Sequence, residues 1–471
     1  MIDLLKVSRS ILSYGKERVD MLKLDQEGKE FYGKVLSLVI PMAIQNLINT
    51  GITTADVVML GKVGEDVLSG SSLAGQIQFI LNLIFFGITS GATVLTAQYW
   101  GKDDRRTIEK VLGIALRVSL ITAILFTVIT LCFPAQLMHI FTSDLQVIAE
   151  GVKYLKIVTY TYLFMAITIV YLNIMRSVER VVISTVVYLV SMLVNITFNA
   201  IFIFGLLGFP AMGIEGAALG TLIARFIELV IVLFYAKWHN KDIRLRISDI
   251  WSRNPLLFRD FIKYSSPVII NELIWGAGFS ANAAIIGHLN SSAVAANSVA
   301  QVTRNLATVI VFGIANATSI MLGKVIGEKK YELAQCYAKR FIYLSVFFGM
   351  LGGSVILFAR PFVISYLSVS ERSGAYMGFM LLCMAGYVLA QAMNTTLIVG
   401  VFRAGGDTKI GLFIDAGSMW CGSILFGALA AFVFHAPVEI VYLILLSDEL
   451  IKLPFSFGRY RQKKWLKNVT R

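Results

Sequence analysis

The stretch PMAIQNLINTGITTADVVMLG, residues 41–61, decides the fold once it is laid over PVIINELIWGAGFSANAAIIG, residues 267–287. A shift of 226 positions brings Pro41 onto Pro267, Leu47-Ile48 onto Leu273-Ile274 and Gly61 onto Gly287. The same shift carries Phe86-Gly87-Ile88 onto Phe312-Gly313-Ile314 and Gly101 onto Gly327 with no gap. One further residue of shift places Arg176 on Arg403 and Pro210 on Pro437. The matched positions are largely Gly, Pro and Arg, so the match is more than a shared apolar composition. The chain is built from two repeated halves.

Each half is apolar. Of 471 residues, 57% are hydrophobic and only 15% charged, and the mean hydropathy is +0.74. Soluble domains hold about 25% charged residues, so this composition points to lipid as the solvent. A bilayer core of about 30 Å takes roughly 20 apolar residues per helix. Twelve spans are expected near 35–59, 71–99, 110–133, 152–175, 181–205, 213–236, 261–287, 294–322, 337–358, 376–402, 409–433 and 437–457. The fold class is therefore all-α integral membrane, with about 12 transmembrane helices in two pseudo-symmetric six-helix lobes. An even number of spans per unit makes the repeats parallel, related by an axis along the membrane normal, and transporters of such a build place their sites between or within the halves.

The charge distribution orients the bundle. The net charge is +13, which in a soluble protein would suggest a nucleic-acid surface. Here it lies beside the spans, and no nucleic-acid partner is expected. One set of loops carries Lys102, Arg105, Arg106, Arg176, Arg180, Lys237, Lys241, Arg244, Arg246, Arg253 and Arg259. The set continues with Lys324, Lys329, Lys330, Lys339, Arg340, Arg403 and Lys409, then Arg459, Arg461, Lys463, Lys464 and Lys467 in the tail. The opposite set offers little beyond Lys62, Lys153, Arg360 and Arg372. Basic loops stay on the cytoplasmic side, so both termini are expected there, in a multi-pass protein of the plasma membrane.

The expected organisation is a cytoplasmic amphipathic arm over 1–34 (with Lys6, Arg9, Lys16, Arg18 and Lys23), an N-lobe over 35–236, a basic cytoplasmic linker over 237–260, a C-lobe over 261–457 and a basic tail over 458–471. No cleavable signal peptide stands out, and the span from Val35 reads as an uncleaved insertion signal. Cys132, Cys336, Cys383 and Cys421 are far apart and read as inert core residues.

Taken in order, several segments resemble the MATE (multidrug and toxic compound extrusion) family, across about residues 31 to 460. They are Pro41-Met42-Ala43, Asp56 followed by Met59-Leu60-Gly61, and Asn195 and Asn199 running into Ile203-Phe204-Gly205. Next come Gly213-Ile214-Glu215-Gly216-Ala217-Ala218 with Thr221, and finally Phe402-Arg403-Ala404-Gly405-Gly406-Asp407-Thr408. The resemblance implies proton- or sodium-driven antiport of organic, often cationic compounds by a chain that acts alone. It implies multidrug efflux, with no cofactor beyond the coupling ion, H⁺ or Na⁺.

A carboxylate in hydrocarbon costs at least about 2.5–3.5 kcal/mol, so it needs a partner or a purpose. Asp56 sits among apolar residues in the outward part of the first span. Asn195 and Asn199 share one face of helix 5 at i,i+4, and Thr221 adds a hydroxyl in helix 6. The resemblance implies that these four gather as a cation or proton site in the N-lobe. One carboxylate with amide and hydroxyl oxygens suits Na⁺, at Asp56, Asn195 and Asn199. The same group could hold a proton if burial raises the Asp pKa. An aspartate bonded purely for packing is the alternative. Many family members carry a second Asp on helix 5, where this chain has Asn199.

Glu272 lies in the middle of helix 7, five residues after Pro267. It is a candidate coupling or substrate-binding residue, matched to the family by region rather than register, or else half of a buried structural pair with Arg304 of helix 8. The family's helix 10 acid corresponds to Asn394 here. Asn46, Asn271 and Asn282 are further cavity candidates, against a plain role in interhelical hydrogen bonds. The pairs Arg225–Glu228 and Asp448–Lys452 are expected to hold the inner ends of the bundle, with Thr221 over Asp448 and Arg225 over Lys452 at a shift of 227. Asp415 reads the same way.

The sequence holds no GxxxxGK[ST] phosphate loop and no HExxH or Cys/His cluster, and His139, His239, His288 and His435 are isolated. No ATP-driven pump and no enzyme is expected. The other readings of the same fold are a flippase for lipid-linked precursors and a narrow-specificity metabolite exporter.

Overall fold

The structure, a computed structural model, describes residues 26–366 and 371–471. The expected amphipathic arm falls largely on residues 1–25, outside the described residues. What is described is helical, with no strand. The spans run α1 Gln26–Gly61, α2 Glu65–Gly101, α3 Arg105–Cys132, α4 as the pair Leu145–Val158 and Thr161–Ser177, α5 Val182–Phe204 and α6 Gly213–Phe234. The second half repeats them as α7 Pro255–Gly287, α8 Ser291–Gly327, α9 Tyr331–Tyr366, α10 Glu371–Thr395, α11 from Thr408–Ala416 to Leu425–Phe432, and α12 as the pair Val438–Leu445 and Asp448–Arg461.

Ten of the described helices are long and apolar enough to cross a bilayer, eleven if the two pieces of α4, bent by 55°, make one span. The twelfth expected span is α12. It is interrupted around Leu446-Ser447, and its second piece opens with Asp448 and Glu449. The expected twelve elements are thus all present in order. Local chemistry sets several ends. Asp104, Asn254 and Asn290 cap α3, α7 and α8 through Thr107 N (3.0 Å), Leu257 N (3.1 Å) and Ala293 N (2.7 Å). Gly205 closes α5 in the left-handed region.

The outer surface is apolar where no helix covers it. Leu36, Ile40, Ile44 and Leu47 run exposed along α1, and Val182, Val186, Leu189 and Leu193 along α5. Water would not tolerate apolar surface of this extent, and hydrocarbon does. Cys132, Cys336 and Cys421 belong to this exposed surface rather than to the core, a departure from the sequence expectation.

The lobes meet through exchanged helices. Phe31, Val35, Leu38, Val39 and Met42 of α1 pack with Ile314, Ala317 and Met321 of α8 and with Phe341 of α9. In the mirror arrangement, Leu257 and Phe261 of α7 join the N-lobe core with Leu95 and Tyr99 of α2. α2 and α8 cross at their basic ends, where neither helix has room for a side chain. A Cβ on Gly101 would overlap the carbonyl of Lys324, and one on Gly327 would overlap the carbonyl of Gln98.

Polar ties close the same end. Gln98 Nε2 donates to Ala404 O (2.7 Å) and Lys467 O (3.1 Å), and its oxygen accepts from Val469 N (2.7 Å). Glu179 bridges Lys34 (2.5 Å) and Lys324 (2.9 Å). Burial pushes the Glu179 carboxyl up, but hydrogen bonds from these two lysines outweigh it and hold the group below the usual carboxylate range. The tail is part of this seam. Trp465 is fully buried, and Asp407 takes both Arg459 (2.7 Å) and Lys467 (2.9 Å). The linker binds to the N-lobe, with Asp249 held by both Nη atoms of Arg106 (2.6 and 2.7 Å) and Asp242 by Arg180 (2.6 Å).

Candidate functional site

Two polar cavities open inside the bundle. In the N-lobe, α5 and α6 are regular, so residues four apart stack on one face. Asn199 Nδ2 donates to Asp56 Oδ1 (2.6 Å) and also meets Asn195 Oδ1 (3.3 Å), and Asn195 Nδ2 donates to Thr221 Oγ1 (3.2 Å). The four residues named from the sequence therefore form one chain of hydrogen bonds. Asp56, Asn195 and Thr221 line a cavity of about 440 Å³ that also takes Gln76, Gln78, Asn82, Tyr154, Ser191 and Arg225, and Asn199 is fully buried beside it. Arg225 binds Glu228 (2.7 Å), which is fully buried and also accepts from Ser191 (3.3 Å). Arg225 thus faces the cavity while its paired acid stays behind it, beyond the packing role expected for the pair.

Among the described residues, Asp56 is the one carboxylate lining this cavity. Among the same residues no group of three or more His, Cys, Asp or Glu side chains is placed to hold a metal. The donor set at Asp56 is one carboxylate with amide and hydroxyl groups, which fits a singly charged hard cation or a proton better than a multivalent metal.

The second cavity, about 450 Å³, lies between α1 and α2 on one side and the C-lobe on the other. Asn46, Asn49 and Thr50 of α1 and Phe86 of α2 face Asn271, Glu272 and Trp275 of α7. The rest of the wall includes Asn305 and Phe312 of α8, Gln391 and Asn394 of α10, Arg403, Asp415, Glu449 and Lys452. Irregular backbone shapes this wall. α10 continues into a π-helical segment over Thr396–Phe402, α11 holds another over Gly417–Ile424, and α12 is broken just before Asp448. A π turn inserts an extra residue and rotates the rest of the helix about its axis, a feature concentrated at functional sites.

This backbone produces pairings that differ from the expected ones. Glu272 pairs with Arg403 (2.7 Å), not with Arg304. Arg403 arrives at the end of the π segment and also donates to Ser90 on α2 (2.8 Å). Arg304 instead lies over the Phe279 ring at 5.9 Å and donates to Asn305 (3.1 Å). Phe279 is seven residues beyond Glu272, about 10 Å further along α7 at 1.5 Å per residue, so Arg304 is at the wrong level.

Lys452 forms the densest cluster. Its ammonium reaches Asp448 (3.0 Å), Glu449 (3.0 Å) and Asp415 (3.2 Å). Asn271 Nδ2 donates to Asp415 Oδ2 (2.9 Å), and Asn394 Nδ2 donates to Glu449 Oε2 (2.8 Å). Asp415 and Lys452, expected to tie the inner ends of the bundle, therefore line the cavity. Of the other candidates, Asn46, Asn271 and Asn394 line it too, while Asn282 and Arg304 do not. Glu449 and Gln391 escaped the sequence reading. The i,i+3 spacing of Glu449 to Lys452 was the available signal, overshadowed by the i,i+4 pair Asp448–Lys452.

Known proteins share this architecture. The model of the MatE family matches residues 41–201 and 267–429, one stretch in each half. A probable multidrug resistance protein NorM of Bradyrhizobium diazoefficiens is 25% identical over 396 residues, covering 82% of this chain and 84% of its own length. An uncharacterized transporter YisQ of Bacillus subtilis is 20% identical, covering 92% of this chain and 94% of its own. Among solved structures, a MATE protein crystallised in the bent conformation superposes with a TM-score of 0.83 at 16% identity, covering 92% of this chain and 95% of that one. With two-thirds of its length matched in two repeated blocks, this multi-pass membrane chain belongs to the MATE family of transporters.

Proposed function

We propose that the protein is a cation-coupled antiporter, driven by H⁺ or Na⁺, that exports organic compounds of cationic or amphipathic character, as in multidrug efflux. The observation that carries this reading is the charge of the cavity between the lobes. Three carboxylates, Glu272, Asp415 and Glu449, face two cations, Arg403 and Lys452. A surplus of negative charge behind aromatic walls (Phe86, Trp275 and Phe312) suits a flat organic cation. The same surplus disfavours the phosphate of a lipid-linked precursor, so the flippase reading is weaker.

The N-lobe cavity is a separate place for the coupling ion, with Asp56 as its acceptor. The closed seam at the basic end supports a state open to the other side. With basic loops held in the cytoplasm of a plasma-membrane protein, that state faces outward. The cycle then consists of cation loading at Asp56, rocking of the lobes, capture of substrate from the inside and return. A single chain contains both cavities and suffices for this cycle.

The test is uptake of a fluorescent organic cation into everted vesicles under an imposed pH or Na⁺ gradient. Gradient-dependent uptake that disappears in Asp56→Asn supports the reading and names the ion. If no gradient moves any organic cation, a narrow metabolite exporter or a flippase is the better assignment.

A further inference from the structure

Lys452 stands where an incoming cation would be expected to sit. It is 2% exposed, and its ammonium is shared among carboxylates from two helices, Asp415 of α11 and Asp448 and Glu449 of α12. Three carboxylates against one lysine leave the cluster formally at −2. A surplus of this kind inside a membrane is costly unless something offsets it. The wall of the same cavity also holds three buried carbonyl oxygens with no hydrogen-bond partner, those of Asn271, Gln391 and Asn394. Each of these side chains is more than nine-tenths buried and lines the cavity. A buried acceptor without a donor is destabilising. The residues thus lack two things that one ligand would supply together, positive charge and N–H donors.

We propose that Lys452 is a tethered counter-cation and a specificity-determining residue of the substrate cavity, occupying the carboxylates in the unloaded protein and yielding part of them to a protonated organic amine, amidine or guanidine. This rests on the antiporter reading above and narrows its substrate class. The charge count favours ligands with two positive centres. The unpartnered carbonyls favour cations that carry N–H groups over quaternary ones, because a quaternary centre satisfies charge but leaves each acceptor empty. Lysine suits such a role, since it is a compact charge on a flexible stem and can withdraw without disturbing the helix that carries it.

Equilibrium binding to the purified full-length protein in detergent tests this, using a fluorescent bis-amidine and tetraphenylphosphonium as probes. In the wild type the bis-amidine is expected to bind at least about tenfold more tightly than the phosphonium, the order of one charge-assisted interaction at roughly 1.4 kcal/mol per decade. Lys452→Gln removes the competitor and is expected to tighten both probes about tenfold or more. Lys452→Arg keeps the charge in a fork that grips carboxylates more firmly, so it is expected to weaken both. It remains informative if the glutamine variant fails to fold. Unchanged affinities in Lys452→Gln or, failing that variant, in Lys452→Arg would overturn the proposal while leaving the antiporter reading intact. A wild type that binds neither probe would defeat the antiporter reading first.

Discussion

The two cavities are nearly equal in size, about 440 Å³ in the N-lobe and about 450 Å³ beside the C-lobe, yet opposite means build them. Apart from Tyr154 of the bent α4, the N-lobe cavity is walled by unbroken helices, and it holds a single lining carboxylate among the described residues, Asp56, bonded by the amide of Asn199. Two π segments and a broken helix shape the other, which crowds carboxylates around Lys452. The repeat makes the divergence concrete. Asp56 corresponds to Asn282 and Asn46 to Glu272 at the 226-residue shift. The first helix of each half therefore gives one acid to its cavity, Asp56 and Glu272, ten residues apart in register. The two halves keep the same order of helices, and the acids stand at different depths. One lobe is thus suited to a small ion and the other to a large one.

That division of labour can be broken most directly by separating binding from coupling. Asp56→Asn is expected to lower gradient-driven uptake by roughly a hundredfold, the scale of losing one transition-selective ionic interaction of a few kcal/mol, while equilibrium binding of the organic cation stays within about twofold. Glu272→Gln is expected to show the reverse priority, with weakened binding first. If both variants lose binding equally, the cavities do not divide the work.

A smaller effect sharpens the comparison through stability. Arg403→Ala leaves Glu272 without its partner, and Arg225→Ala does the same to the fully buried Glu228. Removing one member of a buried pair costs about 3–5 kcal/mol, read as a lower melting temperature in detergent. The N-lobe variant is expected to lose more, because Glu228 is 0% exposed whereas the Glu272 side chain keeps 13% and opens on the cavity. An equal loss would mean that water does not reach Glu272.

The smallest expected effect belongs to the seam. The Glu179 carboxyl is held below its ordinary range by Lys34 and Lys324. Its contribution is therefore present above the unfolded pKa and is lost as pH falls through the depressed folded value. Distances between spin labels across the basic ends of the lobes are expected to stay constant through neutral pH and to broaden only in acid. Glu179→Gln would remove the acid transition, and its persistence in that variant would assign it to another group.

The sequence made the bundle legible because lipid imposes long apolar runs, and the Gly, Pro and Arg positions marked the repeat. It made the N-lobe cluster legible for a related reason. α5 and α6 are undistorted, so the i,i+4 spacing of Asn195 and Asn199 translates directly into a shared face. The second site resisted the same treatment. Arg403 and Asp415 adjoin π segments, where the 3.6-residue period fails and no residue pattern announces the change. Glu449 sits just past a helix break, which turns what looks like one span into two pieces. Charge and helix adjacency pair Glu272 with Arg304, whereas level along the helix axis pairs it with Arg403.

The crossing of α2 and α8 at Gly101 and Gly327 has a consequence for the solution in which the protein is handled. Two kinds of closure lie side by side at the basic end. One is backbone against backbone, with no room for a methyl group. The other is ionic, through Glu179, which reaches from the N-lobe to Lys324 of α8. Dissolved ions weaken the second over a Debye length of about 10 Å at 0.1 M and leave the first untouched. Concentrated salt will therefore loosen the rim of the seam without parting the crossing itself, whereas a single added carbon at either glycine will do the opposite. The ionic strength of the buffer thus becomes a dial on how readily the two halves separate, and vesicle assays run in dilute and in concentrated salt will sample different balances of the same cycle.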